Sequence, residues 1–323
     1  MKILAVDDDP IILELLGEFI LMLGDHELTM AESALDAIEV LRSPDSPRFD
    51  CLLIDIQMPG MDGIELTRTL RETKRFAETP ILMLTAMTEK RYVDRAFAAG
   101  ATDYVTKPFD IEELSERIAN VEAQVEARRA RTGKVFAANA VAEQAQAIAL
   151  YEPLVIQEVD NVIEYLAMEN YIAQLSRSAL FGSTTFAFTV REIESFHDRL
   201  SAFEFHSLVS DVAEVISDTL AGHQFLMSYA GNGTYVCVTE SGWRPDPDQL
   251  KDAVNLALKR SELYDNQGHR LEPQVCAGEA VRLIWKSGNS VMDALASAHA
   301  SAEAACAAFE KSKYDLWTAG QTA

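Results

Sequence analysis

The sequence predicts an α/β fold: a five-stranded, parallel, doubly wound sheet domain, then a helical linker, then an α+β second domain. Three observations predict it. Over residues 1–122, short runs of apolar residues alternate with amphipathic helical stretches. Over 123–183 the helical pattern continues, with a break at Tyr151-Glu152-Pro153. Over 184–323, strand patterns separated by helical ones surround Gly231-Asn232-Gly233. A chain of 323 residues holds two domains of roughly 100–200 residues each.

In the first segment, KILAV reads as a strand, and Ile11, Ile12, Leu15, Leu16, Phe19, Ile20 and Leu23 then recur at helical spacing up to Gly24. ELTMA is a weaker strand, followed by a helix through Leu35, Ile38 and Leu41 and a Ser-Pro loop at 43–48. CLLIDI is apolar on both faces, as parallel strands covered by helices are. GIELTRTLRE, PILMLTA, VDRAFAAGA and DYVTK complete five β-α units.

The charged residues sit at the ends of these strands. CLLI stops on Asp55, KILAV on Asp7, Asp8 and Asp9, and DYVT on Lys107 before Pro108. In an open α/β sheet, ligands bind outside the carboxyl ends of the strands. Asp9 before Pro10 serves equally as a helix cap, which leaves Asp7 and Asp8 unexplained. Carboxylates converging from two strand ends, with one ammonium opposite, suggest a divalent cation and a phosphoryl group.

The motifs VDDDP, LLIDIQMPGMDG, MLTA and DYVTKPF, in this order and spacing, resemble the receiver domain of two-component response regulators across residues 1–122. The resemblance implies that Asp55 is the phosphoacceptor. It implies Mg²⁺ as cofactor, held by Asp8 directly, by Asp7 mainly through water, by Asp55 and by the main-chain carbonyl of Gln57. Lys107 would hold a phosphoryl oxygen, and Thr85 and Tyr104 would form the switch pair. A sensor histidine kinase or phosphotransfer protein is the implied phosphoryl donor.

From Asp110 onward, Ile111, Leu114, Ile118, Val121 and Val125 step by three and four. Ile111 to Ile118 reads as a last helix packed on the sheet. From Val121 on the seam is expected to be a linker or a dimer contact, so a homodimer is expected. ARRARTGK at 127–134 is too short a basic run to argue for nucleic acid. VDNVIEYLAMENYIAQL (159–175) resumes a helical pattern.

In the last segment, TTFAFTVREI is a strand, HSLVSDVAEVISDTLA a helix, and QFLMSYAGNGTYVCVTE a hairpin about an Asn-Gly turn. DPDQLKDAVNLALKRSELY, EPQVCAGEAVRL and SVMDALASAHASAEAACAAFEKSK read as helix, strand and helix. The order β-α-β-β-α-β-α gives a ferredoxin-like sandwich. It resembles the GGDEF domain of diguanylate cyclases, over roughly 184–316. The carry-over mostly shows losses. The signature hairpin falls on Ala230, Gly231, Asn232, Gly233 and Thr234, and the metal-binding aspartate on Thr189. The guanine-reading Asn and Asp fall on His197 and His206, and the RxxD product-inhibition site, at Ala221 to Gln224, is absent. Two-metal chemistry on a triphosphate needs carboxylates, and none stands at these positions. Glu192 and Glu194 read as a solvated strand face, and the spacing of His197, His206 and His223 is not that of a known ligand set. A non-catalytic output domain acting on an unidentified downstream protein is expected; the rivals are a cyclase with an unusual site and a nucleotide receptor without turnover.

Composition narrows the rest. A formal net charge of −23 argues against DNA and anionic lipid as partners. No run approaches the ~18 apolar residues of a membrane span, and MKILAVDDDP lacks the form of a signal peptide. The four cysteines, Cys51, Cys237, Cys276 and Cys306, lie in apolar stretches without zinc spacing. A cytoplasmic protein is expected.

Overall fold

The computed structural model describes all residues except 87–89, 140–147, 175–181, 240–241, 284–288 and 322–323. The chain divides into two compact units, Met1–Glu143 and Gln144–Ala323.

The first unit alternates β1 (Lys2–Val6), α1 (Pro10–Leu23), β2 (Glu27–Ala31), α2 (Ala34–Arg42), β3 (Cys51–Asp55), α3 (Gly63–Arg71), β4 (Ile81–Thr85), α4 (Lys90–Ala98), β5 (Asp103–Thr106) and α5 (Ile111–Asn139). Its strands lie in the order β2-β1-β3-β4-β5, all parallel. Successive strand residues point to opposite faces, and the burial follows. Ile3, Ala5, Leu53, Leu82 and Leu84 pack with α1 and α5. Leu4, Val6, Leu52, Ile54, Ile81 and Met83 pack with α2, α3 and α4. Two covered faces explain why β3 and β4 are apolar at nearly every position.

The helix ends follow local chemistry. Asp9 caps α1, its Oδ1 accepting the Ile11 N–H at 2.9 Å, with Pro10 in the first turn. Asp62 caps α3 through the Glu65 N–H at 2.8 Å. α5 outlasts the sheet, as its periodicity predicts, yet its seam is not free. Val121 and Val125 are buried in the core with Leu114 and Ile118, and Arg129 on the next turns pairs with Asp50 at 2.6 Å. The dimer or linker role expected of Val121 and Val125 is therefore corrected: stepping by three or four from Ile118 keeps them on the buried stripe.

The second unit contains α6 (Tyr165–Gln174), β6 (Thr184–Val190), α7 (Ile193–Arg199), α8 (Ala202–Leu220), β7 (Phe225–Tyr229), β8 (Thr234–Thr239), α9 (Pro247–Arg260), β9 (Val275–Ala277), β10 (Val281–Arg282) and α10 (Asn289–Gln321). The strand order is β10-β6-β8-β7, with β9 also on β6, and these strands pair with one another antiparallel throughout. Phe186, Phe188, Met227, Tyr229, Tyr235 and Cys237 form one core with Phe205, Val209, Val212 and Ile216 of α8 and Val254 and Leu258 of α9.

Three expectations differ here. Residues 148–174, expected within the linker, belong to the second unit. Ile156 and Ile163 are buried, and Val162 bridges Met227 in parallel, with Met227 N–H to Asn161 C=O and Ile163 N–H to Met227 C=O both at 2.8 Å. The helix expected from 159 thus begins only at Tyr165, because the preceding backbone is bonded to β7. The single strand expected at 272–283 is two short strands around Gly278. A short helix, α7, precedes α8, which starts earlier than expected at a Ser201/Glu204 capping box. The stretch 140–147 lies outside the described residues.

Candidate functional site

The strand register brings the expected residues together. Val6 lies opposite Ile54, and Asp55 opposite Leu84. Asp7 and Asp55 therefore end adjacent parallel strands, and Thr85 ends the next one. Thr106 is opposite Thr85, and the Lys107 N–H donates to the Thr85 carbonyl at 2.7 Å, which places the lysine beside both carboxylates. After Asp55 the chain turns through Gly60 and enters α3 at Gly63. A Cβ on Gly63 would stand 2.0 Å from the Asp55 carbonyl oxygen. No larger residue fits there, and so α3 can start directly against the strand end.

Ligand atoms of Asp7, Asp8 and Asp55 lie within 4.8 Å of one another. Asp7 is wholly buried and Asp55 nearly so, whereas Asp8 is exposed. Lys107 Nζ reaches Asp7 Oδ2 at 2.6 Å and Asp55 Oδ1 at 2.7 Å. Asp7 Oδ1 accepts the Asp9 N–H at 3.1 Å. Burial pushes the Asp55 carboxyl up; hydrogen bonding to Lys107 opposes this, the Asp7 charge adds to it, and the Gln57 N–H opposes it weakly. Burial alone draws the Lys107 ammonium down, but its bonds to Asp55 and Asp7 outweigh that and hold it raised.

Three carboxylates against one ammonium leave an excess of negative charge on a purely oxygen donor set. Such a set fits a hard divalent cation that keeps some of its waters, because one face is open at Asp8. An open cleft of about 420 Å³ adjoins it, lined by Asp8, Gln57, Met58, Asp62, Tyr92 and Arg95. Tyr92 and Arg95 carry no sequence signal beyond their i, i+3 spacing on α4.

Thr85 is buried, and Tyr104 is half-buried with its ring edge-on to Phe97 at 6.2 Å. Asp9 is not in the cluster, its side chain being the α1 cap. In the second unit the structure does not gather the three histidines. His197 and His206 each bond a backbone carbonyl, and His223 stacks on Trp243 at 3.8 Å. Among the described residues the aspartate cluster is the only candidate metal group, and no helix is long and apolar enough to cross a membrane.

Residues 3–119 match the family model described as the response regulator receiver domain. The chain is 36% identical over 121 residues to the chemotaxis protein CheY of Pseudomonas aeruginosa, covering 38% of this chain and 95% of that one. It is 35% identical over 117 residues to the DNA-binding dual master transcriptional regulator RpaA of Synechocystis sp., covering 36% of this chain and 47% of the relative. The heme response regulator HssR of Staphylococcus epidermidis is 38% identical over 120 residues, covering 36% of this chain and 50% of the relative. The chain thus spans about half the length of these last two relatives. Among solved structures, chemotaxis protein CheY4 of Vibrio cholerae shares 31% identity, over 37% of this chain and 97% of its own, with a TM-score of 0.34. By its 36% identity to CheY over 95% of that protein, with the family match over residues 3–119, the chain belongs to the response regulator receiver domain family of two-component systems.

Proposed function

We propose that the chain is a phosphorylation-driven switch in the cytoplasm. Asp55 accepts a phosphoryl group from a sensor histidine kinase or phosphotransfer protein. The observation that carries this reading is the convergence of Asp7, Asp8 and Asp55 within 4.8 Å, with Lys107 on two of them. In the transfer, an Asp55 carboxylate oxygen forms a bond to phosphorus as the donor's bond to it breaks. Two anions must approach, so the repulsion between them has to be screened. Asp7, Asp8, Asp55 and the Gln57 carbonyl would hold Mg²⁺, which supplies that screening when bound. Lys107 moves its ammonium onto a phosphoryl oxygen, relinquishing one carboxylate. The Thr85 hydroxyl turns to another phosphoryl oxygen, and Tyr104 fills the space it leaves, which biases a two-state surface.

The second unit is read as a ferredoxin-like, GGDEF-like domain without catalytic groups. Its antiparallel order β10-β6-β8-β7, with α8 and α9 on one core, supports that reading. So does the turn at Ala230, Gly231, Asn232, Gly233 and Thr234, at the place the resemblance assigns to the signature hairpin. Thr189, at the metal-aspartate position, is buried with its hydroxyl 2.9 Å from that of Thr234. Two neutral hydroxyls paired with each other hold no divalent ion strongly. The output is then a protein contact or a change in self-association of a homodimer, rather than turnover. DNA is not a partner of so acidic a chain.

Two experiments test this. Beryllofluoride with Mg²⁺ is expected to change the shape, oligomeric state or partner binding of the wild type, and no change in any of them contradicts the switch. The phosphorylated protein with GTP is expected to make no cyclic di-GMP; turnover would establish the cyclase instead.

A further inference from the structure

The turn of the second unit that replaces the signature hairpin is not open. Residues 148–156 run across it as irregular chain with a turn at 150–151, and the polar contacts are made mainly to their backbone. The Asn232 N–H donates to the Leu150 carbonyl at 2.6 Å. His197 Nε2 donates to the Ile148 carbonyl at 2.6 Å, and His206 Nε2 to the Val155 carbonyl at 3.1 Å. A Cβ on Gly231 would stand 2.6 Å from the Tyr151 carbonyl oxygen, so the glycine (φ +92°) leaves room for the strap backbone. The Tyr151 hydroxyl donates to Glu194 Oε1 at 3.2 Å. Ile156 is buried in the core, with Ile148, Leu150 and Leu154 packed against it.

We infer that the β7–β8 turn and the two histidines form a peptide-binding cleft, whose occupant is this chain's own segment 148–156. The inference rests on the GGDEF-like reading above for what the cleft once held: the positions assigned there to the guanine contacts, His197 and His206, are the two that now grip carbonyls. A neutral imidazole N–H donates to a carbonyl as well as an amide does, whereas the carboxylates needed for metal and guanine are gone. The cleft thus takes irregular polypeptide, read through carbonyl oxygens, and not nucleotide. Sequence separation explains why this was not legible: the occupant lies roughly fifty residues or more before the groups that hold it, in a stretch with no motif of its own.

Chymotrypsin on the full chain, with cuts after Tyr151 and Leu154 mapped by mass spectrometry, tests the occupancy. The strap is expected to be protected in the wild type. Loss of one carbonyl contact in His197→Ala should speed both cuts about five- to tenfold, as for the loss of a single hydrogen bond from a local opening equilibrium. Gly231→Ala should speed them further; where that variant does not fold, His197→Ala carries the test. In a full-length variant with 148–156 replaced by Gly and Ser, a labelled peptide of the natural 148–156 sequence should bind, and the wild type should not take it. Cleavage of the wild-type strap at the rate of an unfolded chain would overturn the inference. So would a replaced variant that binds GTP with Mg²⁺ and not the peptide. Protease protection reports occupancy alone and the cyclic di-GMP assay reports the catalytic reading, so the two fail separately.

Discussion

The rim of the first unit and the β7–β8 turn of the second both gather polar groups at strand ends, and they resolve them in opposite ways. At the rim, three carboxylates converge and a single lysine is bonded to two of them. At the turn, Thr189, Asn232 and Thr234 are neutral and are satisfied within the fold. Thr189 and Thr234 bond each other, Asn232 Nδ2 donates to Glu303 at 2.7 Å, and its N–H is bonded to Leu150. An electrostatically frustrated site can be switched by a cation and a phosphoryl group. A satisfied one is suited to holding a shape.

The largest expected effect that sharpens this contrast is on the rim. Asp55→Asn should abolish the response to beryllofluoride and Mg²⁺ altogether, read by scattering or by oligomeric state; a retained response would move the site elsewhere. At the turn, Thr189→Asp restores the carboxylate that the rim tolerates. Buried against the Thr234 hydroxyl, the new carboxylate should cost about 3 kcal/mol or more in denaturant unfolding. A stable variant that gains Mg²⁺ binding would break the comparison.

Asp103, at the opposite end of β5 from the rim, is the control for burial without a site. Burial pushes its carboxyl up to about 6, against Arg117 at 3.6 Å, which lowers it, and the Tyr104 N–H. The folded state then holds a proton that the unfolded state releases near pH 4. Stability should fall as pH rises from about 4 to about 6, by about 3 kcal/mol. Asp103→Asn should flatten that fall, measured by urea unfolding across pH; an unchanged slope would assign it to Asp55, which is shifted in the same direction. Val121→Ala should destabilise the first unit by about 2 kcal/mol through a cavity. Loss of self-association with unchanged stability would instead restore the seam as an interface. The smallest effect is at Asp8, which is exposed. Asp8→Ala should leave the fold intact and weaken Mg²⁺ about tenfold, about 1.4 kcal/mol, by calorimetry.

The first unit was legible because its signals are local. Apolar runs that end on Asp7, Asp55 and Lys107 place each group at a strand end, and parallel order then brings the ends together. What escaped depends on distance. Val121 and Val125 carry the same spacing whether they face a second chain or their own sheet, and only the reach of α5 over β1 decides. Residues 159–164 have helical spacing but bond to β7, since a backbone pairing partner outweighs a weak helical preference. The strap over Asn232 carries no composition that marks it. The cap role of Asp9 was visible in Asp-Pro itself, and the structure separates it from the cluster.

The most direct test of the central claim is peptide mapping of the intact chain after acetyl phosphate with Mg²⁺. One hydroxylamine-labile phosphoryl group is expected, on Asp55, and none when Mg²⁺ is chelated beforehand. An unmodified Asp55, or a phosphoryl group on another residue with Asp55 unoccupied, would contradict it.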